Sequence, residues 1–331
     1  MLGNERTGGV DRRAGLMIGA LVAVNVVLWI AAWTVSKTFL FLLGPAWLAY
    51  GFGLRHAVDA DHISAIDNVT RKLMQEGKRP LGVGFYFSLG HSTIVVLLCS
   101  ALIVATERVQ KYLPVWQHTG AEAGTLISGG FLYLIGFLNI VVLWDVVRKA
   151  RMLRAGQAVD TDAPAMTGLL GRILRPVLAM VSQSRHMYLV GFLFGLGFDT
   201  ATEVGVLALA VRTGQAHVPL LAAMLLPALF TAGMCLVDTV DGILMLRAYG
   251  WAQVKPERRI TYNVTITAVS VLVAFVVGTH EMLSLLNVHD LPTGRIWSFV
   301  TDNLGFFVVG LFLLIWALAA TASRARNLET A

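Results

Sequence analysis

Residues 51–71, GFGLRHAVDADHISAIDNVTR, decide how this chain is read. They continue an apolar run, FLFLLGPAWLAY at 39–50, with the composition of the first half of a membrane-spanning helix. Into that span come Arg55, His56, Asp59, Asp61, His62 and Asp67. Each ionisable group at the centre of a span costs about 2.5–3.5 kcal/mol on insertion scales, so a helix that carries several uses them on something that crosses. Two imidazoles and two carboxylates between His56 and His62 suit a divalent transition metal better than a sugar or a lipid.

At about 100° per residue, with His56 at 0°, Asp59 falls near 300° and His62 near 240°, whereas Asp61 falls near 140°. A straight helix therefore cannot aim all four at one ion. Either the backbone unwinds here, which Gly51 and Gly53 favour, or Asp61 serves another helix. Arg55 stands one turn before Asp59 and is placed to neutralise it.

Working outward, 56% of the residues are hydrophobic, 14% are charged, and the mean hydropathy is +0.69. Soluble domains carry about 25% charged residues. The composition predicts an all-α polytopic membrane protein. Eight apolar runs are long enough to span: 14–34, 40–66, 81–105, 124–147, 187–211, 218–246, 261–284 and 298–320. The first run carries no small-residue cleavage site and reads as a span rather than a signal peptide. Cys99 and Cys235 lie in apolar runs and act as small apolar residues, not as a disulfide or zinc pair.

An even number of spans puts both termini on one side. Segments on that side hold Arg6, Arg12 and Arg13, Arg71 to Arg79, Arg148 to Arg185, Arg247 to Arg259, and Arg324 and Arg326. The opposite segments hold only Lys37, Arg108, Lys111, Arg212 and Arg295. This bias places both termini in the cytoplasm and explains the net charge of +6 without a nucleic-acid partner. The organisation expected is a four-helix membrane half at 1–147, a cytoplasmic loop at 148–186 and a second half at 187–331. Within the loop, GLLGRILRPVLAMV at 168–181 is amphipathic enough to lie on the bilayer surface, or is a plain connector.

Three further spans carry polar groups. The third has Ser88, Gly90, His91, Ser92 and Thr93; its histidine is a ligand candidate or a packing residue. The fifth has Asp199, Thr200, Thr202 and Glu203, whose two acids are one turn apart and repel unless a cation or proton lies between them. The sixth has Asp238 and Asp241, also on one face. GFLFGLGFDTATE at 191–203 echoes the second span in the opposite crossing direction, either as an inverted-topology repeat or by coincidence. With Asp59, Asp61 and Asp67, these acids far outnumber Arg55, and so much like charge is not tolerated in a low-dielectric interior. Several are expected to be protonated, hydrated or paired. Exchange of those protons for metal would couple uptake to a proton gradient.

RHAVDADHI with DNVTRK, then LGHST, then LGFDTATE, then the Gly233-Met234 and DTVDG stretches together resemble the nickel/cobalt transporter family of secondary permeases. The His-x4-Asp-His motif of that family stands here as His56, Asp61 and His62. The resemblance implies an eight-helix importer of Ni²⁺ and/or Co²⁺ in the cytoplasmic (inner) membrane, with the metal as cargo and no prosthetic group. It further implies that His56, Asp61 and His62 form the core of recognition, with His91, Asp199, Glu203, Asp238 and Asp241 along the route. Asp59 joins the metal-site residues from the residue-level reading. Nitrogen and oxygen donors fit those ions, although raw affinity would favour Cu²⁺, so selection must come from geometry and supply. Carriage of Zn²⁺, Mn²⁺ or Fe²⁺, or export, stays open. So does an enzyme reading, because His56-x4-Asp61 also matches a membrane acyltransferase motif, though that leaves the acids of the other spans without a role.

Overall fold

The computed structural model describes residues 2–104, 106–155, 181–196, 201–216, 218–252, 256–285, 303–311 and 314. Their regular structure is entirely helical. The order is α1 (Leu2–Ser36), a 3₁₀ turn (Leu40–Leu42), α2 (Leu43–His56), α3 (Ala60–Gln75), α4 (Val83–Val104) and α5 (Thr106–Arg154). A second 3₁₀ turn (Ser184–His186) then leads to α6 (Met187–Phe194), α7 (Ala201–Gln215), α8 (Leu220–Ala223), α9 (Leu225–Ala252) and α10 (Pro256–Leu285). Residues 304–311 are also helical.

Four helical stretches among the described residues are long and apolar enough to cross a bilayer: Asp11–Ser36, Val83–Val104, Glu122–Val141 and Leu220–Gly250. Thr267–Leu283 is a shorter apolar stretch. On α1, Val27, Ile30 and Trp33 each expose more than half of their surface. Such a face is costly in water and at home in hydrocarbon. The chain is a multi-pass helical membrane protein.

The expected second span is broken. α2 stops at His56 and α3 starts at Ala60, with Asp59 extended between them at φ −69°, ψ 146°. Of the two options left by the helical angles, the backbone takes the unwound one. Ala57 N–H still bonds back to Gly53 O and Val58 N–H to Arg55 O, and Ile63 N–H reaches Asp59 O to start the next helix. Asp is a favoured residue at a helix start, and Asp61 in the first turn meets the positive end of the α3 dipole.

The fifth expected span is likewise in pieces. α6 ends at Phe194 and α7 begins at Ala201, and residues 197–200 lie outside the described residues. The sixth opens with α8 and is interrupted at Met224. α5 runs on to Arg154, past the expected end of the fourth span at 147. The amphipathic stretch at 168–181, all but Val181, and most of the eighth expected span lie outside the described residues.

The chain forms two compact units, each discontinuous along the sequence. The first comprises Met1–Val58, Pro80–Ser128 and Gln183–Ile243. Its core joins Ala46 and Ala49 of α2, Val95, Cys99 and Leu102 of α4, Val206, Leu207 and Ala210 of α7, and Leu226, Leu229, Phe230 and Met234 of α9. Small residues set the spacing. A Cβ on Gly53 of α2 would lie 2.1 Å from Phe230 O of α9. The same device is reciprocal between α4 and α6, where Cβ atoms on Gly90 and Gly191 would each lie 1.9 Å from a carbonyl oxygen, of Tyr188 and Phe87 respectively. Backbone-to-backbone contact of this kind is how membrane helices pack without a hydrophobic driving force.

The second unit comprises Asp59–Arg79, Gly129–Ser182 and Leu244–Ala331. α3 packs on α10, and every residue from His62 to Met74 is buried, including Asp67, Asn68, Thr70, Arg71 and Lys72. Tyr133 and Phe137 of α5 meet Phe275 of α10, and Tyr133 Oη and Thr279 Oγ1 are 2.8 Å apart. Lys72 Nζ donates to Val181 O at 2.6 Å. Burial holds its ammonium below the usual lysine range, against the pull of Glu76.

Candidate metal centre

Three side chains from three helices of the first unit converge. His56 is the last residue of α2, His91 lies in the middle of α4, and Glu203 sits in the first turn of α7. Each is at most 2% exposed. The unwound backbone after His56 frees the end of α2, the glycine contacts set α2 against α9 and α4 against α6, and the start of α7 offers its positive dipole end to the Glu203 carboxylate.

His91 Nε2 is 2.8 Å from Glu203 Oε1 and 2.9 Å from His56 Nε2, and His56 Nε2 is 3.8 Å from Glu203 Oε1. One proton shared by two of these atoms leaves the third facing a lone pair. A cation satisfies all three. An ion bonded to each donor at about 2.1 Å would hold neighbouring donors about 3.0 Å apart at right angles and about 3.4 Å apart at tetrahedral angles. The observed separations bracket these values.

Behind this trio, Thr202 Oγ1 is 3.1 Å from His56 Nδ1. A metal held by His56 Nε2 would leave the proton on Nδ1, which would donate to the threonine and fix ring orientation and tautomer. Phe230 flanks His56, and Phe87 flanks His91, at ring separations of 5.7 and 6.4 Å. The donors therefore sit in a buried, aromatic setting.

Asp238 of α9 is fully buried and accepts a hydrogen bond from Ser88 Oγ of α4 at 2.8 Å, one turn before His91 on that helix. Asp241, one turn further along α9, is partly exposed. In the second unit, His62 is fully buried on α3, while Asp59 and Asp61 at its start are partly exposed. Asp199 lies outside the described residues. Thr202 stands in the stretch that marked the fifth span, but nothing in the sequence showed that it faces His56. A second polar cluster joins Asp67 to Tyr249 of α9 and Ser270 of α10, two residues that lie outside the quoted motifs. A lone hydroxyl leaves no charge signal in an apolar run.

Buried nitrogen and oxygen donors from three helices make a set that fits a divalent metal ion. A family of high-affinity nickel-transport proteins, NicO, matches residues 42–322. The high-affinity nickel transport protein of Cupriavidus necator is 43% identical over 98% of this chain and 95% of the relative. The nickel transporter NicT of Mycobacterium tuberculosis is 45% identical over 93% of this chain and 87% of the relative. The cobalt transport protein NhlF of Rhodococcus rhodochrous is 36% identical over 95% and 93%. No solved structure matches the chain. The chain belongs to the NicO family of nickel-transport proteins. This is a family of transporters, so the acyltransferase reading of His56 and Asp61 falls.

Proposed function

We propose that the protein imports Ni²⁺ and/or Co²⁺ across the cytoplasmic membrane, through eight crossings with both termini in the cytoplasm. The observation that carries this is the convergence of His56 Nε2, His91 Nε2 and Glu203 Oε1 at separations of 2.8 to 3.8 Å in a buried setting. Family membership supports the ion, since relatives are named for nickel and for cobalt. The distribution of Lys and Arg supports the topology.

In this reading the ion is cargo. His56, His91 and Glu203 hold it, and Thr202 orients His56. Asp61 and His62, which follow His56 across a short break in the chain, contribute to recognition as the His-x4-Asp-His motif requires. Asp59, Asp199, Asp238 and Asp241 line the route. A hydrated ion gives up water to nitrogen and oxygen donors on entry, and an incomplete cage lets it leave again. Metal and protons compete for the acids, so metal movement is coupled to proton movement.

Radiolabelled Ni²⁺ and Co²⁺ accumulation in cells carrying the gene, against empty vector and His91→Ala, tests this. Accumulation above vector that is lost in His91→Ala, at equal membrane abundance, is the expected result. Lowered accumulation would mean export, and preference for Zn²⁺, Mn²⁺ or Fe²⁺ would change the cargo. Uptake that is insensitive to external pH and to a protonophore would remove the proton coupling.

A further inference from the structure

The second unit contains a buried charge cluster that the transport reading does not use. Asp67 of α3 is fully buried. Tyr249 Oη of α9 donates to its Oδ1, and Ser270 Oγ of α10 donates to its Oδ2 at 2.7 Å. Two hydroxyl donors, one on each oxygen, is the arrangement that suits an ionised carboxylate. Arg71 lies one turn later on α3, 3% exposed, and its charge acts on Asp67. Its Nη2 donates to Asn68 Oδ1 at 3.0 Å, and Asn139 Nδ2 of α5 donates to the same oxygen. Asn68 Nδ2 in turn holds Ser64 O at 2.7 Å. One arc of α3 is thus tied to three other helices of its unit.

The same helix begins with Asp61 and His62. Seen down its axis, His62 lies about 140° from Asp67 and about 7.5 Å back along the helix, so the two do not share a face. The connection is mechanical. The chain is unwound at Asp59, so α3 does not continue α2 and takes its rotation and depth from its own partners. Tyr249 and Ser270 supply the partners on α9 and α10.

We propose that Tyr249 and Ser270 are positioning residues for metal recognition. By holding Asp67 they fix the rotation and depth of α3, and with them the placement of His62. This rests on the transport reading above, and it assigns a role to two residues outside every motif of the sequence.

The test uses the full chain in cells lacking their own nickel uptake. The concentration dependence of Ni²⁺ and Co²⁺ uptake per copy is measured for Tyr249→Phe, Ser270→Ala, the two combined, and Ser270→Thr, which keeps the donor. Asp67→Asn with Arg71→Gln removes both charges together, so no buried guanidinium is left without its counter-charge. The expected result is a KM for Ni²⁺ raised about two- to thirtyfold in the combined variant, the range for coupling carried through packed elements rather than by direct contact. Vmax per copy is kept, the Ni²⁺ to Co²⁺ ratio moves, the single variants show smaller rises, and Ser270→Thr stays near the unaltered chain. The charge-neutral pair shifts KM in the same direction. Unchanged KM and ratio in the combined and charge-neutral variants would overturn the inference alone. So would a fall in abundance with KM per copy unchanged, since that is packing only. Absence of uptake by the unaltered chain would overturn the transport reading and take this inference with it.

Discussion

Glu203 and glutamine have nearly the same shape and differ in charge. Glu203→Gln leaves two imidazoles and a neutral amide at the buried centre, so the anion that offsets a divalent ion is gone. Ni²⁺ uptake at limiting metal is expected to fall by more than the roughly tenfold that loss of an outer-shell partner costs, at unchanged abundance in the membrane. Thr202 acts one step behind. Thr202→Val keeps the shape and removes the partner of His56 Nδ1, and KM is expected to rise on the order of tenfold, while Thr202→Ser stays near the unaltered chain. Uptake curves for the two variants side by side decide this. At this scale the sequence was most informative about charge. His56, His91 and Glu203 stand out in apolar runs because each costs energy there, and the structure brings those three together. Thr202, Tyr249 and Ser270 were not legible as partners, because a hydroxyl at membrane depth costs little and is common in packing. Which imidazole nitrogen faces which neighbour depends on helix rotation, which no spacing rule fixes.

Among the elements, the glycine contacts are the parts that hold the proposed metal centre in register. Gly191→Ala puts a methyl carbon 1.9 Å from Phe87 O, and Gly53→Ala puts one 2.1 Å from Phe230 O. Backbone cannot give way as a side-chain tip does, so α4 or α2 must move off its neighbour. The expected loss is about 1–3 kcal/mol, the usual range for overpacking, read as a lower thermal midpoint in detergent and lower membrane abundance. Gly51→Ala, with nothing within 4 Å of its Cβ, is the control and should be close to neutral. The break between α2 and α3 was legible in outline, since helical angles showed that one straight helix could not present all the donors. Its position at residues 57–59 was not, because Ala57 and Val58 are ordinary helix residues. The interruption of the fifth span had no such signal.

For the whole molecule, metal binding and folding are linked. An ion that binds the folded chain and not the unfolded one stabilises it by about 2.7 kcal/mol at a hundred times its Kd. Ni²⁺ is therefore expected to raise the thermal midpoint of the purified protein, and His91→Ala to abolish that rise. Equal shifts in both proteins would place the ion elsewhere. The apolar runs made a multi-pass helical protein legible from composition alone, because a bilayer demands a minimum length of apolar helix. The grouping of those helices was not legible, because chain order does not say which helix faces share a core.

One consequence follows from the discontinuity of the first unit, which needs residues up to Ile243. A ribosome has already released His56 and His91 into the membrane well before it reaches Glu203. Nascent chains halted in between carry two imidazoles without their carboxylate. In the proposed reading, truncated products of interrupted translation are thereby poor nickel traps, and the cell gains a conduit only when synthesis has gone most of the way.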